Sequence, residues 1–445
     1  MSDAPLNSSL PGKIDVLIAG AGPVGMLLAL LLARRKISSL LIEPRTEIHP
    51  HSRAIGIHPP GLDALERAGV HTSFLDQGVM VPGGSVYVED QCYGHLEFAQ
   101  NPGKWKYPLL LPQHRTETLL EEACRAEPLV HLHRRWRVED LELISKGNSI
   151  DKEKSIVKSI VKDIAKGIRE GHSKSIIGGT SEGYLVRCVG PQGSQTIIET
   201  RFLVGCDGKR SRVRELLNIT WIGNHYRDQY LLGDVKDDTD FGKRAVIFLT
   251  RQGLVESFPL QEGWRRWVVH IDEETLPASL KGEQSSWITT ELSDWHKLMQ
   301  VMIQSRTGHQ VDVFGFGVLG SFGIERRLAK NVYQGNAFLA GDAAHIVSPI
   351  GGQGMNLGWM DAVNLADTID RLRRTTNIAE SKLIKDRYEH IVLRRARKGI
   401  RRAWFNTIWG RSRIPRFVRK GLVNSILTEP LRSYFTRQFT MTNLR

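Results

Sequence analysis

The sequence predicts an α/β fold: an open parallel sheet flanked by helices, a second, antiparallel sheet, and a helical C-terminal region. Three observations carry this expectation. The apolar run Ile14–Ala19 leads through a glycine-rich turn into the helical stretch Pro23–Arg34, then into a second apolar run, Leu40–Ile42, that ends at Glu43. Strand–helix–strand openings of this kind pair their strands in parallel. Val246–Thr250, Gly253–Pro259 and Arg266–Ile271 read as antiparallel strands. From about Ser381 the chain is basic and helical in pattern.

The elements follow in order. Residues 16–33 are apolar over a length that resembles a membrane span. The interruption at Gly20–Gly25 makes them a buried strand followed by a buried helix instead. Residues 79–112, rich in glycine, proline and aromatics, suggest irregular strands and loops. Thr116–Glu127 has a helical pattern and Val130–Leu143 a strand-like one. Tyr184–Val189 and Gln195–Glu199 read as a hairpin about Gly190–Ser194, and Arg201–Cys206 as a separate strand returning to the first sheet. Ala337–Ala340 reads as another strand of that sheet, and Gly354–Leu365 as a helix. The expected division is a discontinuous first domain over 12–223 and 321–380, a sheet domain over 224–320, and a basic helical region over 381–445.

Composition narrows the function classes. The chain has 445 residues, 41% hydrophobic and 24% charged, as in soluble enzymes with large cores. The net charge of +13 is concentrated in a Lys-rich insertion at 145–183 and an Arg-rich tail beyond Arg411. No zinc-ligand spacing or aromatic–basic motif accompanies it, which argues against nucleic-acid binding. Within the insertion, Ile156, Ile160 and Ile164 share one helical face and Lys154, Lys158, Lys162 and Lys166 another. A solvated insertion at a hairpin tip is the favoured reading, and peripheral membrane contact the alternative. The tail, with Trp409, Ile414, Phe417, Leu422, Ile426, Leu431 and Phe435 between arginines, carries the same pair of readings; a helix packed on the first domain is favoured. Cys92, Cys124, Cys188 and Cys206 form no C-x-x-C pair. With no apolar signal core at the N-terminus, they point to the reducing cytoplasm.

Gly20-Ala21-Gly22-Pro23-Val24-Gly25 is a G-x-G-x-x-G turn between strand and helix. Its first glycine makes the tight turn, the second admits a pyrophosphate, and the third lets the helix lie close on the strand. Helix amides hold the phosphate charge. Glu43, about twenty residues on, is placed to accept ribose hydroxyls. This Rossmann-like signature leaves FAD and NAD(P) both open.

Two later motifs decide between them. LVGCDGKRSRVR at 203–214 runs from a strand into Asp207-Gly208, and LAGDAAHIVSPIGGQGMNLGWMDA at 339–362 from a strand into Gly341-Asp342. A carboxylate at such a strand end accepts from the hydroxyls of a polyol chain; FAD carries a ribityl chain and NAD does not. The Gly351–Gly354 turn opens a helix, whose positive end favours charge on a reduced flavin.

On these motifs the chain resembles the single-component flavin monooxygenases, the group that includes para-hydroxybenzoate hydroxylase and phenol hydroxylases. The resemblance runs from about residue 14 to 370. It implies that the first domain is a Rossmann-like FAD-binding domain and the sheet domain a substrate-binding one. FAD contacts would come from Gly20, Gly22, Pro23, Gly25, Glu43, Asp342, Gly354 and Met355. Arg53 would lie near the ribose and pyrophosphate, Gln113 and Arg115 near the ribityl side, and Pro349 over the flavin. Asp207 would serve FAD and NAD(P)H together. The insertion departs from the family, and the thioredoxin-like domain of some phenol hydroxylases is not expected.

The implied chemistry is reduction by NADPH or NADH, with NADPH preferred on resemblance alone. Reaction with O2 to a flavin C4a-hydroperoxide then leads to hydroxylation of a small aromatic or polyketide-like substrate. The substrate pocket is expected around Val255–Pro259 and Arg266–His270. No base is identifiable; His270, Tyr226 and Tyr230 lie in the region, and each reads more readily as structural. Trp264 and Trp267 read as core ahead of pocket lining, and His345 as packing beside the flavin loop. Epoxidation and Baeyer–Villiger oxidation are the alternatives within the fold, and a non-catalytic flavin-binding protein lies outside that class. Halogenation is disfavoured, since W-x-W-x-I-P is missing and WRRWVV at 264–269 is the nearest stretch. Oligomeric state is open.

Overall fold

A computed structural model describes residues 10–50, 54–144, 183–271, 294–312, 317–349, 351–410 and 416–444. The chain opens with β1 (Lys13–Ala19), α1 (Pro23–Ala33) and β2 (Ser39–Glu43). From Gly25 to Ala33, α1 is buried on every side, because it lies against the strands on one flank and against further helices on the other. A helix that is apolar all round calls for such a position.

There follow β3 (Gly56–Ile57), α2 (Pro59–Ala68), α3 (His71–Gln77), β4 (Val79–Met80), β5 (Gly83–Val88), β6 (Gln91–Glu97), β7 (Leu109–Leu110) and α4 (Gln113–Ala126). Next are β8 (Val130–Arg134), β9 (Arg137–Ile144), β10 (Gly183–Val189), β11 (Gln195–Gly205) and α5 (Arg212–Leu216). The second half holds β12 (Trp221–Lys236), β13 (Ala245–Thr250), β14 (Gly253–Pro259), β15 (Trp264–Ile271), α6 (Asp294–Thr307), β16 (Val318–Ala329), β17 (Tyr333–Gln334), β18 (Ala337–Leu339) and β19 (His345–Ile346). Helices α7 (Gly354–Arg374), α8 (Ile378–Gly410), α9 (Arg416–Ile426) and α10 (Leu431–Phe439) complete it.

Among the described residues the first sheet has the order β17-β18-β11-β1-β2-β8, with β10 and β9 branching from β11. Strands β18, β11, β1, β2 and β8 are parallel to their neighbours in this path. Leaving β1, the chain crosses to β2 on one side, whereas β11 lies on the other; the reversal of direction falls at β1. Strand β11 is unbroken from Gln195 to Gly205, so the hairpin strand and the returning strand expected separately are one. Its first half pairs antiparallel with β10 and its second half parallel with β1 and β18; no glycine or proline interrupts it.

The second sheet has the order β19-β16-β12-β15-β14-β13-β5-β6. Residues 83–97, expected as irregular, are the hairpin β5–β6, and β5 adds to this sheet in parallel with β13. Glu89, at φ 57°, makes the tight turn that the sequence pattern did not reveal. One face of the sheet packs on α6 through Trp267, Val269, Trp295, Met299 and Ile303. The opposite face carries Tyr230, Leu232, Leu254, Val268, Phe322 and Ile324.

The basic tail packs on the protein, with Leu427 and Phe439 in the cluster of Val81, Leu96 and Phe98, and Met441 and Leu444 against Leu357 and Met360 of α7. Phe439 stacks on Phe98 at 5.4 Å and meets His58 edge-on at 6.3 Å; Leu427 joins the same cluster. Phe417, Leu431 and Tyr434 are exposed. No described helix is long and apolar enough to cross a membrane. The expected Lys-rich helix lies outside the described residues.

Candidate functional site

The parallel strands deliver their C-terminal ends side by side. Ala19 of β1 is in register with Ile42 of β2 and Gly205 of β11, and Gly205 with Leu339 of β18. The loops after them therefore meet at one sheet edge, where open α/β sheets bind ligands. The three motifs, far apart in sequence, become neighbours there.

The glycines of the first loop divide by what surrounds them. A Cβ on Gly20, whose φ is +103°, would lie 2.4 Å from the Cys206 carbonyl oxygen, and one on Gly25 2.0 Å from that of Gly20. These two serve the close packing of strand and helix. A Cβ on Gly22 would meet nothing within 4 Å, so the start of α1 faces open space. Gly354, at the start of α7, is open in the same way. Two helix N-termini thus present free amides.

Glu43 is buried at the end of β2. Its Oε2 accepts from the Ala21 amide at 2.8 Å and its Oε1 from Arg45 Nε at 2.7 Å. Arg45 reaches Glu117 at 3.4 Å, and Glu117 accepts from Gln113 Nε2 at 2.8 Å. The carboxylate keeps lone pairs for a further donor. Glu43 and Gln113 therefore belong to one network, through two residues that the sequence did not single out. Arg115 points away from it, exposed and donating to Gln77 at 2.6 Å. Arg53 lies outside the described residues.

After β11, Asp207 Oδ2 accepts from the Val213 amide at 3.1 Å, while Oδ1 is buried with no partner among the described residues. Burial pushes the Asp207 carboxyl above its usual range, against hydrogen bonds from Ser211 and Val213 that pull it down. Arg214 joins this loop to the next: it donates to the carbonyls of Lys209 and Ala343 and lies over the Trp221 ring at 4.0 Å.

In the third motif, Asp361 on α7 accepts from the Gly341 amide at 3.2 Å and from His345 Nε2 at 2.6 Å. Burial works against charge on His345, but the Asp361 carboxylate outweighs it and raises the imidazole above its ordinary value. Asp342 is enclosed by protein, which raises its carboxyl, yet its side chain is exposed. That combination describes a group lining a cleft. Leu328 and Arg327 of β16 pair with His345 and Ile346, so the motif is anchored to the second sheet as well.

The glycine turn before α7 has positive φ at Gly351 and Gly352. Asn356, fully buried, donates to the carbonyls of Gly56 and Gly352 and accepts from the His58 amide. His58 Nε2 lies 3.0 Å from the Gly351 carbonyl. Burial lowers its pKa to about 4, so the neutral ring carries its proton on Nε2 and donates. Met355 is half-buried and Pro349 exposed beside this turn.

Of the second-sheet candidates, Tyr230 stacks on Phe322 at 5.6 Å and His270 pairs with Asp228 at 3.1 Å. Trp267 is core, stacked on Phe248 against the α6 face, and Trp264 packs under Lys236.

These residues fit an FAD. Glu43 and the Gly22 amides would hold its adenosine and pyrophosphate side, and Gln113 would adjoin the ribityl chain. The orphaned Asp207 Oδ1 and the cleft-lining Asp342 would take its hydroxyls, and the Gly352–Gly354 amides its ring. The family described as FAD binding domain matches residues 13–154 and 182–403. The chain belongs to this family. The chain is 29% identical over 355 residues to an uncharacterized aromatic compound monooxygenase, YhjG of Bacillus subtilis, covering 79% of this chain and 60% of that one. It is 26% identical over 393 residues to pentachlorophenol 4-monooxygenase of Sphingobium chlorophenolicum, covering 84% and 61%. The chain thus spans about three-fifths of the length of these relatives. The fold matches that of p-nitrophenol 4-monooxygenase PnpA from Pseudomonas putida DLL-E4, with a TM-score of 0.75 at 19% identity over 96% of this chain and 98% of that one.

Proposed function

We propose that the chain is an FAD-dependent monooxygenase that hydroxylates a small aromatic or polyketide-like molecule with NADPH or NADH and O2. The observation that carries this reading is the meeting of three loops at one sheet edge, with Gly22 and Gly354 open and Asp207 Oδ1 without a partner among the described residues. Relatives named for aromatic compounds and pentachlorophenol support the substrate class. Bound FAD would supply hydride acceptance and oxygen activation. The chain's own residues would bind and orient. Glu43 fixes the first loop, Arg214 joins the second loop to the third, Asp361 closes the third, and His58 and Asn356 hold the glycine turn rigid. The face of the second sheet carrying Tyr230, Leu232 and Phe322 would bound the substrate and exclude water. The division of the chain into a FAD domain, a substrate sheet over 224–320 and a tail belongs to this reading. So does a cytoplasmic location, favoured by four free cysteines.

The test is purified protein with FAD, NADPH and a panel of phenols under labelled O2. Phenol-stimulated NADPH oxidation with one labelled oxygen in the product supports the reading. NADPH oxidation that never responds to a phenol overturns it.

A further inference from the structure

One strongly placed group has no part in the cofactor site. Glu256, on β14, is only 5% exposed. Among the described residues no hydrogen bond or ion pair reaches its carboxyl. A buried, unpaired carboxyl is costly and calls for a role.

Its position follows from the sheet. Glu256 is opposite Ile247 of β13 and Val268 of β15, and Val268 is opposite Leu232 of β12. Alternation sets it on the face of Tyr230, Leu232, Leu254, Val268 and Phe322, away from α6. Ile247, Leu249 and Phe258 on this face are only partly buried, so it is not closed like the α6 face. Phe258, two residues on, also contacts the cluster of Ile55 and Leu110. Ile55 precedes Gly56, whose carbonyl Asn356 ties to the glycine turn. The face therefore leads from the aromatic stack to that turn.

The other charged groups here are accounted for. Arg266 donates to both oxygens of Asp234, at 2.6 and 2.7 Å, and His270 pairs with Asp228. Tyr230 lies between Phe322 and His270. On α8, which touches β13 and β16 at the flanks of the face, Arg402 is engaged by Gln438 and Asn443. Glu256, opposite Ile247 and Val268, has no charged partner among the described residues.

We propose that Glu256 is the proton acceptor for a phenolic hydroxyl of the substrate. The assignment rests on the monooxygenase reading above. The phenol O–H bond breaks, its electron pair stays on the oxygen, and the proton forms the O–H of the Glu256 acid, which returns it to solvent after product leaves. The ring so charged is the electron-rich partner that oxygenation needs. Burial raises the Glu256 carboxyl to about 7, which suits a group that takes and returns a proton near neutrality.

The experiment compares the FAD-loaded wild type with Glu256→Gln and Glu256→Asp, using phenol, 4-nitrophenol and pentachlorophenol, by product formation and flavin content. With phenol, kcat/KM of the wild type falls about tenfold per pH unit below the Glu256 value, and Glu256→Gln lowers it about a hundredfold and flattens the profile. Pentachlorophenol, already ionised, loses little in Glu256→Gln, and Glu256→Asp recovers part of the rate with phenol. Flavin content is unchanged throughout. An equal loss with all three phenols, or none with any, overturns the assignment while the monooxygenase reading stands. If Glu256→Gln does not fold, the wild-type profiles decide: an acid limb with phenol but not with pentachlorophenol supports the assignment, and identical profiles overturn it. A wild type that oxygenates none of them sinks the function reading itself.

Discussion

His345 Nε2 lies 2.6 Å from Asp361 Oδ2, with both side chains 1% exposed. The same Asp361 oxygen accepts from the Gly341 amide. One buried carboxylate thus fixes both ends of the loop that carries Asp342. Removing one partner of such a pair costs about 3–5 kcal/mol, so Asp361→Asn should lower unfolding stability by that order and release FAD more readily. The raised His345 value gives a sign. A group whose pKa is higher folded than unfolded stabilises below its unfolded value, about 6.5, and loses that contribution as pH rises through the folded one. The stability gap between wild type and His345→Gln should therefore narrow as pH rises, in urea titrations; a widening gap would contradict the ion pair.

His58 has the opposite sign. Its value, lowered from 6.5 to about 4, means the unfolded chain binds protons first on acidification. Stability is lost as pH falls below 6.5, amounting to roughly 3 kcal/mol at pH 4. Wild type should lose this increment, and His58→Gln should not.

The two glycines of the first loop should part company. Gly25→Ala drives a Cβ into the Gly20 carbonyl and should cost about 1–3 kcal/mol of stability. Gly22→Ala meets no atom, so its thermal midpoint should hold while FAD affinity falls. Circular dichroism melts beside FAD titrations separate the two outcomes; equal destabilisation would remove Gly22 from the cofactor surface.

Asp207 sits where burial disfavours its charged form. Because its carboxyl is raised, it contributes stability only as pH falls and the group protonates. Asp207→Asn can keep the bond from the Val213 amide while relieving the charge. The FAD-free variant should melt at or above wild type, yet bind FAD about tenfold more weakly. A lower melting point with unchanged affinity would make Asp207 a loop-capping residue only.

The sequence made this sheet edge legible because glycine spacing and strand-end acids are local signals: Gly20, Gly22, Gly25, Glu43, Asp207 and Asp342 all lie there. What holds them was not legible. His58 and Gly351 are 293 residues apart, and Asn356 and His58 298; no periodicity predicts such meetings. Arg45 lies outside every motif, and the motif that contains Arg214 does not give its partners. Glu256 lies within Val255–Pro259, where the pocket is expected, but no local pattern shows that its carboxyl is buried. Its burial depends on β13 and β15 flanking β14. Hairpin β5–β6 joined the second sheet through a parallel pairing with β13, a long-range choice that local turn signals do not specify.

The most direct test of the central claim is the visible absorption spectrum of the purified protein after incubation with FAD and removal of the excess, then anaerobic NADPH, then air. Flavin bands that stay with the protein, bleach with NADPH when a phenol is present, and return with O2 are expected. A protein that remains colourless after FAD would show that the three loops do not form a flavin site.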